Sequence, residues 1–503
     1  MTATPEALDD LAFESSAACY EMIVSFLKGP EAAGLTHEEL ERHLQTEGRE
    51  LLRRMHQGHL SLRAEREARV QGVTDAQGTR RNRAEGGHKR LLATVFGEVE
   101  VSRIAYREPG LPNLHPGDAV LNLPVEKHSH GLRRLAAVEA AGGSYDEAVG
   151  SIERATGQKL GRRQVQELAA RCAEDFDDFY AGRKPVAGDP GDLVVLSCDG
   201  KGVVMRHDAL RPATAASAAK ASSKLNGRLS KGEKTNRKRL AEVGTVYDAT
   251  PAPRVIADIL PGNDEQRRDA AAGPATKSKW LTASVVNNAA SVVGQVFDEA
   301  QRRDPGHTRP WVALVDGNNH QIDRIRAEAK ARKVTVSIVI DLIHVLEYLW
   351  KATWCLHKEG DPAAEAWVRL QASAILAGEA TKVAGAIRRA ATKAGLEPLK
   401  RSGVDACATY LINKAPYLDY PLALKEGWPI ATGVIEGACR HLVKDRMDIT
   451  GARWGLEGAE AVLKLRALRS NGDFDLYWRF HLKQELHRIH ESRYAMGVIP
   501  KAA

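Results

Sequence analysis

The sequence lacks the cysteine pairs that build disulfide frameworks and closed zinc sites. Its six cysteines lie far apart and include no Cys-x-x-Cys pair, so neither feature is expected and a reducing compartment fits better. Uninterrupted apolar runs of about 18 residues, which would span a membrane, are also missing. The segment Met1–Leu11 has no apolar stretch like that of a signal peptide. We therefore expect a cytoplasmic protein without a membrane partner.

Charge of either sign is not in strong excess. The chain has 72 Lys and Arg against 65 Asp and Glu, a formal net charge of +7. Such a balance is compatible with a polyanionic partner but does not by itself establish one. With 503 residues, 43% of them hydrophobic, the chain is neither a small single-core module nor a wholly disordered protein. No internal repeat is found.

Helical patterns dominate the first part of the chain. Thr36-His37-Glu38-Glu39 has the spacing of a capping box, and Thr94–Val101 predicts two short strands around a turn at Gly97. Further on, the sequence predicts one helix starting at Ser144 and another over Gln164–Phe176. These two resemble a helix-turn-helix, although any two packed helices give the same pattern.

From residue 190 onward, predicted strands alternate with helices. The predicted strands are Leu193–Cys198, Val203–Met205, Val243–Tyr247, Trp311–Val315 and Val334–Ile340, with a helix over Lys279–Gln301. This alternation indicates an α/β sheet with helices on its faces. Two insertions interrupt it: residues 206–239, with ten Lys or Arg and two acids, and the predominantly helical residues 347–428.

Two predicted strands end in an aspartate followed by glycine, Asp199-Gly200 and Asp316-Gly317. A third carboxylate, Glu436, opens a predicted helix. Ligands of α/β sheets collect at strand ends, and two aspartates with a glutamate suit Mg²⁺, which supports phosphoryl transfer when held in pairs. In the alternative interpretation, the aspartates cap turns and Glu436 caps its helix. The residue types leave both open.

Five segments together resemble a known family. They are Asp199-Gly200, Asp316-Gly317, Ile340–Trp350, Gly433–Glu436 and Arg453–Glu460. Over about residues 90–470, the chain resembles bacterial insertion-sequence transposases of the Kra-type family, kin of the Mutator-like group. The resemblance implies an α/β fold class, in which an RNase-H-like mixed sheet is flanked by helices and joined by a helical insertion domain and a mainly helical N-terminal region.

The resemblance and the composition together predict five segments. Residues 1–90 form a helical region for dimerisation or DNA binding, and residues 91–185 form a hairpin with a helix-turn-helix-like DNA-binding region. Residues 190–346 form the first part of the catalytic core, including the basic insertion 206–239. Residues 347–428 form the helical insertion domain, and residues 429–503 complete the core and add C-terminal helices.

By this resemblance Asp199, Asp316 and Glu436 are the catalytic residues and hold Mg²⁺, for which Mn²⁺ is an alternative. The expected reaction cleaves a DNA strand at the element end, and the freed 3′-OH then attacks target DNA. Asp341-x-x-His344 occupies the place of the family's Cys/Asp-x-x-His motif. His344 either contacts DNA or orients a neighbour, and Asp341 is the acid most easily mistaken for a catalytic one.

Other residues are expected to contact DNA or to support the site. Arg453 and Trp454 are assigned to one of these roles, with core packing as the alternative for Trp454. The DNA-binding residues predicted in the basic insertion are Lys231, Lys234, Arg237, Lys238 and Arg239.

The expected partners are double-stranded DNA, both element ends and target, and further copies of the chain in a homo-oligomer. Relatives often carry a Cys-x-x-Cys after the N-terminal hairpin, whereas Tyr106–Gly110 has no cysteine, so zinc is not expected. Two rivals remain at this stage. One is a catalytically silent DNA-binding regulator derived from a transposase, and the other is an RNase-H-like nuclease without strand transfer.

Overall fold

A computed structural model describes residues 5–220, 237–262 and 264–501. The chain divides into two compact units: unit 1 comprises Met1–Phe179 with Gly472–Ala503, and unit 2 comprises Tyr180–Asn471. The predicted segment 429–503 is therefore shared between the units. The fold is mixed α/β, as predicted. Among the described helices, none combines the length and the apolar character needed to cross a membrane.

In the described part of unit 1, helices accompany one long hairpin. Its strands β1 (Arg83–Thr94) and β2 (Gly97–Arg107) pair antiparallel. The hairpin is longer than predicted. Its turn falls on Val95 and Phe96 rather than at Gly97, because Thr94 pairs with Gly97, the first residue of β2. The helices are Pro5–Lys28, Pro30–Ala33, His37–Glu65, Pro116–Val120, His130–Gly142, Tyr145–Thr156, Arg162–Cys172 and Phe474–Glu485, while Phe176–Ala181 spans the division between the units.

Two helix starts in unit 1 confirm capping signals in the sequence. Thr36 and Glu39 form a reciprocal capping box, and Ser144 and Glu147 form another. The second helix ends at Gly157, which has the left-handed φ of 71° typical of a helix terminus. The predicted pair of short helices is therefore present as Tyr145–Thr156 and Arg162–Cys172, while its DNA-binding role stays a prediction.

The C-terminal helix Phe474–Glu485 belongs to the core of unit 1. The side chain of Arg133 is fully buried, and its guanidinium donates to Glu485 at 2.5 Å. The Tyr477 hydroxyl donates to the carbonyl oxygen of Cys172 at 2.7 Å. A buried guanidinium is stable only when paired, so the end of the chain helps to hold unit 1 together.

Unit 2 is built on a five-stranded sheet. Its strands are β3 (Leu193–Val204), β4 (Lys238–Thr250), β5 (Ala275–Ser284), β6 (Trp311–Val315) and β7 (Val336–Ile340). The order across the sheet is β5-β4-β3-β6-β7. The pairs β3–β4 and β4–β5 are antiparallel, while β3–β6 and β6–β7 are parallel.

Two sequence-based expectations for this sheet were wrong. Val203–Met205 is not a separate strand, because β3 continues through Asp199-Gly200 and pairs with β4 as far as Val204. Lys279–Gln301 is not one helix, since β5 runs to Ser284 and the helix covers only Ala289–Arg303. In both places, pairing with β4 overrides the local pattern.

The other helices of unit 2 pack around the sheet and beyond it. The described helices are Pro212–Lys220, Ile256–Ile259, Asp264–Asp269, Ala289–Arg303, Asn319–Arg332, Leu342–Thr353, Pro362–Leu376, Ala380–Lys393, Ser402–Lys414, Tyr420–Lys425, Gly433–Ala438 and Leu456–Ser470, with a π-helical stretch at Cys439–Lys444. Residues 347–428 are predominantly helical, as predicted. Branched aliphatic residues such as Ile375, Ile387 and Leu411 belong to the same hydrophobic core as the sheet, while Trp354 is 46% exposed.

Candidate carboxylate site

The parallel part of the sheet carries three aspartates to the same edge. Ser197 of β3 pairs with Leu314 of β6, so Asp199 and Asp316 each lie two residues beyond this pair. Val315 pairs with Ile340, and the next residue, Asp341, donates its backbone N–H to the Val315 carbonyl at 2.8 Å. The three aspartates therefore lie at the same level on adjacent strands: Asp199 inside β3 where its pairing with β6 has ended, and Asp316 and Asp341 directly after β6 and β7.

Glu436 lies on a segment that crosses this edge. At one end, the Thr432 hydroxyl donates to Asp341 Oδ2 at 2.7 Å, and its oxygen is 3.1 Å from Glu436 Oε1. At the other end, the Cys439 thiol donates to Asp199 Oδ2 at 3.4 Å. Glu436 therefore lies between one contact to the end of β7 and another to β3.

Each of the three predicted ligands has at least one oxygen engaged by the protein. Gly200 N–H donates to Asp199 Oδ1 at 2.6 Å, and Asn318 N–H donates to Asp316 Oδ1 at 2.8 Å. The turn-capping alternative is thus realised in part. Within the described residues, Asp316 Oδ2 and Glu436 Oε2 have no hydrogen-bond partner. Both aspartates are half-buried and Glu436 is exposed, so solvent reaches the group.

The electrostatics of neighbouring groups reflect this concentration of acids. Burial raises the pKa of the Cys439 thiol, and the negative charges of Asp199 and Glu436 raise it further. Burial also lowers the pKa of Lys414, which the charge of Asp316 partly opposes.

The loop after β6 is shaped by a helix of the 347–428 segment. The Tyr410 hydroxyl donates to the Asp316 carbonyl oxygen at 3.0 Å. Gly317 has a φ of 94°, and a Cβ at this position would lie 2.7 Å from the Tyr410 hydroxyl oxygen. Lys414, in the last turn of the same helix, donates to the side chain of Asn319. The helix Ser402–Lys414 therefore positions the backbone around Asp316.

Asp341 and His344 occupy a different environment from the three predicted ligands. Asp341 is fully buried and caps the helix Leu342–Thr353 by accepting from the Ile343 N–H at 3.0 Å. His344 has a side chain 35% exposed, and its Nδ1 lies 3.5 Å from Asp341 Oδ2. This Nδ1 is buried and has no hydrogen-bond partner among the described residues. Asp341 thus faces the protein interior rather than open solvent.

Trp454 lies in the core. Its indole N–H donates to the Met447 carbonyl at 2.9 Å, and the Arg446 guanidinium lies 4.7 Å from the ring centroid. The backbone of Trp454 runs beside the end of β3. Its N–H donates to the Val204 carbonyl oxygen at 3.0 Å, and its carbonyl oxygen accepts from the Arg206 N–H at 2.8 Å. Trp454 was predicted to contact DNA, to support the site or to pack in the core. Its burial agrees with core packing. The neighbouring Arg453 is exposed.

The predicted DNA-binding residues of the basic insertion fall partly outside the described chain. Lys231 and Lys234 lie outside the described residues. Arg237 is half-buried and Lys238 is exposed at the start of β4. The Arg239 guanidinium donates to the carbonyl oxygens of Val285 at 2.6 Å and Ala209 at 3.3 Å, which indicates a structural role for at least part of this side chain.

The carboxylates fit a hard cation by chemistry, but they are not assembled as a closed site. Within residues 5–220, 237–262 and 264–501, no group of three or more His, Cys, Asp or Glu side chains is arranged to hold a metal ion. The oxygens at the edge are nonetheless of the type that Mg²⁺ and Mn²⁺ prefer.

Several residues of this edge were not identified from the sequence. Thr432, Cys439, Tyr410 and Lys414 each touch a predicted site residue or its loop. Thr432 precedes Glu436 by one helical turn, and Cys439 follows it by three residues, so a helical reading of this segment would have placed both near the glutamate. No sequence pattern near Tyr410 or Lys414 indicates that they contact the loop that carries Asp316.

Comparisons with known proteins do not identify the chain. No protein-family model matches the sequence, and the search of curated proteins gives no significant match.

Proposed function

We propose that the protein is a DNA transposase of the DDE type, with an RNase-H-like catalytic core in unit 2 and residues 347–428 as a helical insertion domain. The observation that carries the proposal is the common sheet level of Asp199, inside β3, and Asp316, just after the adjacent parallel strand β6. Glu436 lies between Thr432, which bonds to Asp341, and Cys439, which bonds to Asp199. Three antiparallel strands continued by two parallel ones support an RNase-H-like core.

The residues of this edge suit the cleavage of a phosphodiester. Asp199, Asp316 and Glu436 would hold Mg²⁺, with Mn²⁺ as the alternative. When bound, a pair of such ions activates the attacking oxygen and stabilises the leaving one. The protein contributes rigid placement, since Asp199 lies within the paired strand β3 and the loop that carries Asp316 is held by Tyr410. No residue needs to form a covalent intermediate with DNA.

The proposed substrates are the ends of the protein's own element and a target duplex, bound by a homo-oligomer that bridges two ends. The net charge of +7 is compatible with this polyanionic substrate. The product of the first step is a free 3′-OH, which would attack the target in the same site.

The proposal is tested with purified protein and duplexes that carry the DNA flanking its coding sequence. We expect Mg²⁺-dependent nicks at the element ends and, with added target, joined products. Asp199→Asn, Asp316→Asn and Glu436→Gln should each lower the nicking rate by at least about a hundredfold, because each removes a charged ligand of the cation. Duplex binding, measured by fluorescence anisotropy, should remain within about twofold, since the phosphate contacts lie elsewhere.

Asp323→Asn is the matched control, because Asp323 is an exposed acid on the helix that follows the Asp316 loop. It should nick at the rate of the unaltered protein. Duplex binding without nicking by the unaltered protein would support the silent regulator, and nicks without joined products would support the nuclease. Equal loss in the control and in the three variants would contradict the assignment of the site.

A further inference from the structure

A small cavity of unit 2 lies beside the last part of β3. Its volume is about 190 Å³, and its walls come from β3, from the start of β4 and from residues 443–448. Lys201, Lys238 and Lys444 line it, and Asp448 is the one acid that does so among the described residues. The three lysines are exposed, and within residues 5–220, 237–262 and 264–501 their side chains form no hydrogen bond or ion pair. Three ammonium groups against one carboxylate favour an anion.

The backbone of β3 presents further donors on this side. In an antiparallel pair, successive residues point their N–H and C=O groups to opposite edges of the strand. Met205 N–H donates to the Arg237 carbonyl, on the β4 side, whereas the Val204 carbonyl accepts from the Trp454 N–H, on the other side. The N–H groups of Val204 and Gly202 therefore point away from β4, and neither has an acceptor among the described residues. Unpaired N–H groups at the edge of a sheet can bind an anion.

The wall of the cavity strengthens this preference. A Cβ at Gly202 would lie 2.8 Å from Lys238 Cδ, so the glycine lets the Lys238 side chain lie across β3. Much of the remaining wall is apolar and buried, namely Val203, Val443 and Met447. Donors beside a buried apolar wall attract an anion more strongly than donors surrounded by solvent, because water and salt screen them less.

We propose that this cavity binds one phosphate group of a DNA strand, which is held by the three lysines and by the N–H groups of Gly202 and Val204. This inference rests on the proposed function, since it takes the phosphate to be part of DNA. Gly202 lies three residues beyond Asp199 in β3, which is about 10 Å at the rise of a strand. One strand of a duplex rises by about 3.4 Å per nucleotide. The phosphate in the cavity is therefore about three nucleotides from the one beside Asp199.

The test follows duplex binding by the full-length chain at a series of salt concentrations, with fluorescence anisotropy and the same flanking-sequence duplexes. Lys201→Gln, Lys238→Gln and Lys444→Gln are combined in one cavity variant. Because the three lysines share one phosphate, the slope of log affinity against log salt should become shallower by about one rather than by about three. Such a change in slope corresponds to about tenfold weaker binding at about 0.1 M salt.

The matched control combines Lys330→Gln, Lys393→Gln and Lys400→Gln. These lysines of unit 2 are exposed and do not line the cavity, and their replacement changes the net charge by the same amount. The control should keep the slope and bind within about twofold of the unaltered chain. An equal loss in the control, an unchanged slope in the cavity variant, or a change of about three would each overturn the inference. Circular dichroism checks that both variants are folded.

Inorganic phosphate distinguishes a phosphate of DNA from a free ion. At equal ionic strength, a phosphate ion bound in the cavity should raise the melting temperature of the unaltered chain more than that of the cavity variant. If this difference appears in a chain that binds no duplex, the cavity takes the free ion, and both the DNA assignment and the proposed function are rejected.

The remaining outcomes separate this inference from the proposed function. If the unaltered chain binds and nicks the duplex while the cavity variant keeps its salt slope, the proposed function stands and only the phosphate site is rejected. If the slope changes as expected but the unaltered chain makes no nicks, the phosphate site stands and the enzymatic activity is rejected.

Discussion

At the scale of single residues, His130 shows how burial and one neighbour set a protonation state. Its Nε2–H donates to the Asn122 carbonyl at 2.8 Å, and Nδ1 accepts from the Arg133 guanidinium at 3.3 Å. Burial lowers the pKa of His130 to about 4, and the positive charge of Arg133 adds to the effect. The neutral ring with its proton on Nε2 is therefore the form that unit 1 accommodates.

This environment predicts a loss of stability in mild acid. The pKa of His130 is about 4 in the folded chain and near 6.5 when unfolded, so protonation favours the unfolded chain as the pH falls from 6.5 towards 4. The linked loss of unfolding free energy is at most about 3 kcal/mol. His130→Gln keeps a donor and an acceptor but cannot titrate. Urea unfolding from pH 7.5 to 4.5 should show the unaltered chain losing more stability than this variant, whereas parallel curves would refute the assignment.

At the scale of elements, the two Asp-Gly pairs serve different local structures. Gly200 lies inside β3, where a Cβ would come within 2.7 Å of the Leu240 side chain of β4. Gly317 lies in the loop after β6 with a positive φ and with Tyr410 against its open side. In β3 the glycine of the Asp-Gly pair allows close contact with a side chain of the neighbouring strand. After β6 the glycine of the second Asp-Gly pair allows a left-handed backbone conformation.

The turn at Gly317 predicts a large effect of a single methyl group. Gly317→Ala combines an unfavourable φ with a clash against Tyr410, and should lower the unfolding free energy of unit 2 by about 2–3 kcal/mol. Gly294→Ala is the control, because Gly294 lies within the helix Ala289–Arg303 and a Cβ there meets nothing within 4 Å. It should be neutral or stabilising by up to about 1 kcal/mol. Equal urea midpoints for the two variants would contradict this account.

The sequence predicts elements best where their signals are local. The capping boxes at Thr36 and Ser144 are read from residues three apart, and the strand Trp311–Val315 is a short buried apolar run with a clear end. The end of β3 could not be read in this way, since Asp-Gly suggests a turn. The strand continues because β4, more than thirty residues away, supplies its hydrogen bonds.

The residues of the candidate site also differ in whether a local sequence pattern predicts them. Asp199 and Asp316 are suggested by the patterns that precede them, because apolar runs lead into an acid and a glycine. The residues around them depend on pairings distant in the chain, such as Tyr410 with Asp316 and Cys439 with Asp199. Only the arrangement of the fold brings these side chains together, so sequence spacing carries no signal for them.

At the scale of the whole molecule, unit 1 is formed from both ends of the chain. Its core includes a charged network in which Asp175 accepts from His481 and Arg488, and Glu485 accepts from Arg133. The partners are more than 300 residues apart in sequence, so no local pattern could assign residues 472–503 to the N-terminal unit. A buried network of this kind is stable only when every charge is paired.

This pairing predicts the result of shortening the chain. A chain that ends at Asn471 lacks Glu485, which pairs with Arg133, and lacks the Tyr477 hydroxyl, which donates to the Cys172 carbonyl oxygen. Unit 1 should lose about 3–5 kcal/mol of stability, since these bonds and the buried face of the helix Phe474–Glu485 are lost together. Hydrogen exchange should therefore increase over the helix His130–Gly142, while β3 to β7 keep their protection.

The matched control alters the same C-terminal helix at its surface. Asp475 pairs with Arg134, and both side chains are largely exposed, so Asp475→Ala should change the stability of unit 1 by less than about 1 kcal/mol. If the shortened chain kept full protection in His130–Gly142, the C-terminal helix would not be an integral part of unit 1. If it lost protection equally in the sheet, the two units would unfold as one. The set of amides that lose protection in the shortened chain therefore shows whether the two units unfold separately.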